Sequence, residues 1–398
     1  MNRLLNSALD EHFTTNRQMV FLVGPRQSGK TWIARHQDAN LHYFSWDLPA
    51  DRQLILDNGP ALVERAGLVQ LSDSRPLVVF DELHKYRGWK DFLKGFFDRW
   101  EGHCRILVTG SAALDTFSKG GDSLMGRYFT YRCHPLAWAE ILADAPHYKD
   151  RNFEEKAWTN LLELGGFPEP FLRGDKAFWR RWKNLRWKQL FREDLRDLTR
   201  SLELDRIEAL GLLLLGQASG QCNWSKLATR LKVSQDSVGR WVSHLEALHT
   251  IFLLRPWSRN IGRSLLQEPR VYFTDWSWVA DPGPRAENMI ASQLRARIDF
   301  WQDQGLGDYG LFYLRDKDGR EADFLVTRDD KPWLTLEVKK ADTSLSPAFL
   351  HMARQAGAPW NFQLVVDLAE VEANPFLRGP EPLVVPARTF LRYWSAVV

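Results

Sequence analysis

The stretch Gly24-Pro25-Arg26-Gln27-Ser28-Gly29-Lys30-Thr31 constrains this chain more than any other. It follows the apolar run Met19-Val20-Phe21-Leu22-Val23 and fits the pattern G-x-x-x-x-G-K-[ST]. Glycines let a backbone wrap a phosphate so that successive N–H groups point inward. Lys30 then reaches the β- and γ-phosphates, and the Thr31 hydroxyl is the expected Mg²⁺ ligand. Residues from Thr31 to about His36 are expected to open a helix whose N-terminus favours anions. Arg26 is a weaker candidate for phosphate contact. The plainer alternative is a glycine-rich turn before a surface helix; the strand–loop–helix setting favours the phosphate reading.

A second motif lies downstream. Pro76-Leu77-Val78-Val79-Phe80-Asp81-Glu82 reads as a buried strand ending in two carboxylates. After a phosphate loop, an Asp in this place holds Mg²⁺ directly or through water. Glu82 is placed to polarise a water for attack on the γ-phosphate. Taken alone, Asp-Glu after a strand reads as a helix N-cap. A third strand, Arg105-Ile106-Leu107-Val108-Thr109-Gly110-Ser111, ends in small polar residues. Thr109 and Ser111 are candidates to sense the γ-phosphate, against a simple strand-end turn. Arg127, in Ser123-Leu124-Met125-Gly126-Arg127, is a candidate arginine finger, in cis or for a neighbouring subunit; the alternative is a surface salt bridge.

Strand-like runs near 19–23, 42–46, 77–80, 105–109 and 128–132 alternate with helical patterns. That order predicts an α/β fold with a parallel sheet covered on both faces. Its ligand is expected at the carboxyl ends of the strands. From about 136 to 204 the pattern turns helical, broken by Gly165-Gly166-Phe167-Pro168-Glu169-Pro170. Segment 176–192 holds Lys176, Arg180, Arg181, Lys183, Arg186, Lys188 and Arg192 with no acidic residue. Trp179, Trp182 and Trp187 are interleaved, as in a strip that neutralises phosphates and stacks bases. Equally, the tryptophans fit a helix core and the charges a solvated face.

Residues 222–263 predict a winged helix. A short helix over Ser225–Leu231 and a turn at Lys232-Val233-Ser234 precede a helix through Leu248. Lys226, Arg230, Lys232, Arg240, Arg255, Arg259 and Arg263 face only Asp236 and Glu246 in this window. The segment is therefore expected to contact DNA, with a protein-interaction module as the alternative. The last third is α/β again, with strands near 310–315, 321–326 and 333–339. Glu337 and Lys339 share a strand face, Asp323 lies on the preceding strand, and Glu287 on a helix before it. Together they form a candidate second metal site for nucleic-acid cleavage. A strand of alternating surface charge, or an inactive nuclease-like fold, explains the same residues.

The whole chain has 398 residues with 53 basic and 50 acidic ones, so net charge does not mark a nucleic-acid binder. Cys104, Cys133 and Cys222 have no metal-ligand spacing and predict reduced thiols in the cytoplasm. The N-terminus has no signal-peptide pattern, and Leu210–Leu215 is too short an apolar run to span a bilayer.

In the order of these motifs the chain resembles bacterial and archaeal AAA-type ATPases with a C-terminal domain of unknown function. Gly24 to Thr31, Phe80-Asp81-Glu82-Leu83-His84, Thr109-Gly110-Ser111 and Gly126-Arg127 carry the resemblance in the first part. Gly165-Gly166-Phe167-Pro168, Glu321-Ala322-Asp323-Phe324 and Glu337-Val338-Lys339 carry it in the second. Trp32 and Trp276 depart from it, where smaller or different residues are expected. The resemblance implies ATP and Mg²⁺ binding, hydrolysis and AAA-type homo-oligomerisation, a hexameric ring being one form this allows. The expected organisation is a P-loop core (1–140), a helical lid (141–207), a winged helix (208–268) and a restriction-endonuclease-like α/β domain (269–398). ATP hydrolysis coupled to DNA is the leading expectation. An ATP-gated nuclease and a non-catalytic, partner-recruiting switch are the alternatives.

Overall fold

A computed structural model describes residues 3–69, 74–110, 124–145, 152–198, 203–258 and 268–397. The chain divides into two compact units, Met1–Pro135 and Leu136–Val398. The segments expected as lid, winged helix and C-terminal domain all lie within the second.

The first unit opens with α1 (Leu4–Thr15), then β1 (Met19–Val23) and α2 (Lys30–His36). Next come β2 (Leu41–Ser45), β3 (Leu77–Asp81), α3 (Trp89–Trp100), β4 (Arg105–Thr109) and β5 (Tyr128–Arg132). The five strands form one sheet in the order β2-β3-β4-β1-β5. Every pairing in it is parallel. β1 and β3 are buried along their whole length, as strands covered on both faces must be. α3 buries Trp89, Phe92, Leu93, Phe96 and Phe97, the one-face spacing of an amphipathic helix. Phe80 meets Phe92 and Phe96 edge-on, with ring centroids 5.3 and 5.2 Å away. Edge-to-face geometry suits the ring quadrupoles and fixes the strand that carries Asp81.

The second unit is helical at first and contains α4 (Lys176–Gln189), α5 (Leu204–Leu215), α6 (Trp224–Leu231) and α7 (Gln235–Ala247). Asn223 caps α6, accepting from Lys226 N at 2.8 Å, and Ser234 caps α7, accepting from Ser237 N at 3.1 Å. Lys232, at φ 54°, makes the left-handed turn between them. Val238, Trp241, Val242 and Leu245 line the buried face of α7. Strands β6 (Ile251–Leu254) and β7 (Arg270–Phe273) pair antiparallel beyond it.

The unit ends with α8 (Pro282–Asp303), β8 (Tyr309–Arg315), β9 (Glu321–Arg328), β10 (Lys331–Lys339), α9 (Pro347–Ala356), β11 (Trp360–Val365), β12 (Leu383–Pro386) and α10 (Ala387–Trp394). The sheet order is β12-β11-β10-β9-β8. β8, β9 and β10 form an antiparallel meander, and α9 crosses over so that β11 runs parallel to β10. Of the two unexpected tryptophans, Trp276 is buried and donates its indole N–H to Leu161 O at 2.7 Å. Trp32 is exposed and stacks on His36, with centroids 4.3 Å apart. Among the described residues, no helix is long and apolar enough to cross a membrane.

Candidate functional site

The phosphate-loop motif sits where β1 ends and α2 begins. Gly24 has φ 145°, and a Cβ there would lie 2.3 Å from the Cys133 carbonyl oxygen. No side chain fits without moving backbone, so this glycine is required by close approach as well as by conformation. Gly29 at φ 102° and Gln27 at φ 64° complete the turn into α2. The buried Lys30 Nζ donates to the loop's own carbonyls, Gly24 O at 3.0 Å and Pro25 O at 2.7 Å. From the other side Arg3, at the start of α1, donates to Ser28 O at 2.8 Å and to His134 O at 2.6 Å. This guanidinium is itself buried and ties the loop to the segment after β5.

Parallel pairing brings the ends of β1, β3 and β4 side by side. Thr31 Oγ1 reaches Asp81 Oδ2 at 3.4 Å. The same oxygen accepts the Tyr43 hydroxyl from β2, and Asp81 Oδ1 accepts the Thr109 hydroxyl from β4. Asp81 thus lies buried beneath three hydroxyl donors. Burial, together with the Asp81 carboxylate, pushes the Tyr43 phenol above its usual range. Arg35 stands over the Tyr43 ring, 4.4 Å from its centroid. A hydroxyl and a carboxylate at the loop are the hard oxygen donors that Mg²⁺ takes, and the donor set fits that ion. Thr109, expected to sense a phosphate, has its hydroxyl committed to Asp81 in this structure.

Glu82 follows in the left-handed region, φ 58°, with its N–H donated to Thr109 O at 3.1 Å. Its Oε2 is 3.3 Å from Lys85 Nζ and 3.8 Å from His84 Nε2. Lys85 also holds Asp47, at 2.8 Å. Burial pulls the His84 pKa below its ordinary value, with Glu82 opposing. A non-glycine residue in this conformation at a strand end is the kind of strain found at working sites.

Arg127 stands elsewhere. Its carbonyl accepts from Met19 N, at the start of β1, so it lies a full strand from the loop, roughly 13 Å at 3.3 Å per residue. Its guanidinium grips Asp98, at 2.7 and 3.1 Å. The expectation of a finger acting in cis is therefore corrected: parallel pairing with β1 puts Arg127 at the opposite end of the sheet. Ser111 lies outside the described residues.

In the second unit Glu287 and Asp323 meet around a cation the sequence reading missed, while Glu337 pairs with Lys339. Arg270 of β7 donates to Asp323 Oδ1 at 3.1 Å, to Glu287 Oε1 at 3.4 Å and to Glu321. Tyr272 donates to Glu287 Oε1 at 2.7 Å, and Lys339 to Glu337 Oε1 at 2.6 Å. Burial and the neighbouring Asp323 raise the Glu287 carboxyl well above its usual range, and push Glu337 up to about 7. Among the described residues, no group of three or more His, Cys, Asp or Glu is arranged to hold a metal ion. The expected second metal site is corrected accordingly: a guanidinium sits among its carboxylates.

The basic strip is also revised. Trp182 is buried, Trp179 donates its indole N–H to Ser277 at 3.0 Å, and Trp187 donates to Glu208 at 2.9 Å. These rings are packed within the unit rather than offered for base stacking. Lys176 pairs with Glu163 and Arg192 with Asp205, whereas Arg180, Arg181 and Lys188 are exposed. On the helix–turn–helix, Lys226, Arg230, Lys232 and Arg240 are exposed; Arg259 and Arg263 lie outside the described residues.

Arg3, Tyr43 and Arg270 escaped the sequence reading. Only Arg270 carried a signal, a charge opening the apolar strand Arg270-Val271-Tyr272-Phe273.

A five-stranded parallel sheet with this loop after β1 and an acidic pair after β3 defines a P-loop nucleoside triphosphatase fold. Comparison with known families agrees. Residues 16–142 match the model of an AAA domain. Residues 155–280 and 282–370 match two domains of unknown function, DUF8612 and DUF4143, and neither description names a nuclease. The chain is similar to uncharacterised proteins of Mycobacterium tuberculosis and Mycobacterium bovis, each 23% identical over 342 residues, covering 82% of this chain and 71% of the relative. Among solved structures, it is similar to a Walker-type ATPase of Pyrococcus abyssi, with TM-score 0.45 and 17% identity over 74% of this chain and 95% of that one. AMPPCP-bound DnaA from Aquifex aeolicus gives a TM-score of 0.34 and 12% identity over 62% of this chain and 88% of that one.

Proposed function

We propose that the protein binds and hydrolyses ATP with its AAA domain, and couples that cycle to DNA as a homo-oligomer. The observation that carries the reading is that Thr31, beside Lys30 in the loop after β1, reaches Asp81 at the end of β3 across the end of the intervening strand β4. Lys30 rests on the carbonyls of Gly24 and Pro25, and a triphosphate tail offers it stronger, charged acceptors. Magnesium, held by Thr31 with Asp81 behind it, would supply charge neutralisation at the phosphate oxygens. Glu82 takes the proton of the attacking water as its oxygen bonds to the γ-phosphorus and the bond to the β-bridging oxygen breaks. Lys85 holds Glu82 in this structure, and its release is part of activation. A finger arginine, if Arg127 supplies one, serves the site of a neighbouring copy.

The DNA-facing element in this reading is the helix–turn–helix with its β6–β7 hairpin, a winged-helix arrangement. Support comes from exposed Lys226, Arg230, Lys232 and Arg240, and from Arg180, Arg181 and Lys188 on α4. With Trp182 buried and the indole N–H groups of Trp179 and Trp187 held by Ser277 and Glu208, the contact rests on phosphate charge rather than on stacking.

The test is steady-state ATP turnover of wild type, Lys30→Ala and Glu82→Gln, with and without duplex and single-stranded DNA. Turnover lost in both variants and stimulated by DNA in wild type is the expected result. Turnover without DNA binding at low salt removes the DNA coupling. ATP binding without turnover in wild type leaves a nucleotide-dependent switch.

A further inference from the structure

The carboxylate cluster of the second unit is built as a cation site and already holds one. Arg270 is 7% exposed, and its Cζ lies 4.8 Å from the Tyr313 ring centroid. Both oxygens of Asp323 are taken, Oδ1 by Arg270 at 3.1 Å and Oδ2 by the Val338 N–H at 2.9 Å. Glu287 Oε1 accepts from both Arg270 and Tyr272. Glu321 accepts from Arg270 and from Arg315, and Glu337 accepts from Lys339. Every carboxylate of the cluster therefore has a protein donor.

A divalent ion needs several oxygens converging on one point with open lone pairs. Here oxygens of Glu287, Asp323 and Glu321 instead converge on a planar fork of N–H donors, the geometry that suits a guanidinium. For an ion to enter, Arg270 would have to leave a buried place beside Tyr313 and Tyr272. Lysine would not reproduce the fork, so the identity of the cation matters as much as its charge.

We infer that Arg270 is the resident cation of this cluster. Its guanidinium excludes divalent metal from Glu287, Asp323 and Glu337, makes the unit inert as a metal-dependent nuclease, and fastens the β6–β7 hairpin to α8 and β9. The inference is independent of the proposed ATPase cycle, since none of these residues belongs to the AAA domain.

The experiment is Mn²⁺ binding to the full chain without nucleotide, read from the free-ion EPR signal. An Asp81→Asn background removes the oxygen set at the phosphate loop. In that background no ion is expected to bind at the cluster. Adding Arg270→Met is expected to create one Mn²⁺ site per chain, and adding Asp323→Asn to that variant to abolish it. An ion bound in the Asp81→Asn protein and lost in Asp81→Asn/Asp323→Asn overturns the inference. So does an Arg270→Met protein that folds but gains no site. Should Arg270→Met fail to fold, the comparison of the two variants that keep Arg270 still decides. Incubation of wild type with Mn²⁺ and labelled DNA is expected to leave the DNA intact, and cleavage lost in Asp323→Asn counts equally against the inference.

Discussion

The Tyr43 hydroxyl donates to Oδ2 of Asp81, the oxygen that Thr31 reaches at 3.4 Å. Strand β2 therefore takes part in the phosphate site, although it carries no part of the motif. Removing this donor frees the Asp81 carboxylate to turn. A hydrogen bond to a charged group contributes about 1.5–3 kcal/mol, roughly a tenfold to hundredfold effect if it acts on the reaction. Tyr43→Phe is expected to lower turnover on that scale and to shift its magnesium dependence, with ATP affinity kept. A magnesium titration at saturating ATP checks this. A change in folding stability alone, with an unaltered magnesium profile, would reduce Tyr43 to packing.

Glu82 is the candidate base. The isosteric change Glu82→Gln keeps size and hydrogen bonding but cannot accept the proton. Turnover should fall by about 10²–10⁴, the usual weight of general-base catalysis, while ATP binding persists. Equilibrium binding of a fluorescent ATP analogue beside a phosphate-release assay separates the two. Full turnover in the variant would move the role to another group.

Arg3 braces the loop through Ser28 O and His134 O. Arg3→Ala leaves buried carbonyls without that donor, at about 1–3 kcal/mol. Urea unfolding should report the loss, and ATP affinity should weaken with it. Arg3→Lys, with a single point charge, should recover only part. Unchanged ATP affinity in Arg3→Ala would mean that the loop holds its shape unaided.

At Arg270, removing the buried guanidinium strands a group of half-buried carboxylates. Breaking a buried ion pair from one side costs about 3–5 kcal/mol, so Arg270→Met should lower the unfolding midpoint strongly. Neutralising the partners as well, in Arg270→Met/Glu287→Gln/Asp323→Asn, should restore part of it. Equal loss in both proteins would show that packing, not charge, is at stake.

Glu337 gives the cluster a pH signature. Its folded-state pKa is raised to about 7 from an ordinary value of 4.5, by burial first and by Asp323 second. A carboxyl raised on folding binds more protons folded than unfolded across that window. Its contribution is therefore present in full below the lower value and is lost as pH rises towards the upper one. Stability should fall between about pH 4.5 and 7 on this account. Glu337→Gln should flatten the slope, and denaturant midpoints across that range measure it. An identical slope in the variant would assign the effect to another group.

Much of the candidate nucleotide site was legible because its parts are local. Gly24, Gly29, Lys30 and Thr31 are consecutive or nearly so, and a strand run on either side announces where they stand. Asp81 and Glu82 end an unbroken apolar run, which marks a central strand and its carboxyl end. The two helices Trp224–Leu231 and Gln235–Ala247 were readable for the same reason: Ser234 and Lys232 punctuate two helical patterns, and the structure places helix, turn and helix there. The tryptophans of 176–192 were ambiguous, since period alone cannot tell an indole that packs inward from one that waits for a base.

The amino-acid sequence alone determined the phosphate loop, the acidic strand end and the alternation of strands and helices, because each depends on neighbours within a few residues. Only the tertiary structure decided what surrounds them. Strand order put Tyr43 on Asp81 and carried Arg127 to the far end of the sheet from Lys30. Folding of the second unit set Arg270 among carboxylates that lie 17, 51 and 53 positions away along the chain. Such contacts depend on register and on which faces pack together, and a charge in a strand looks the same on paper whether it meets water or three half-buried acids.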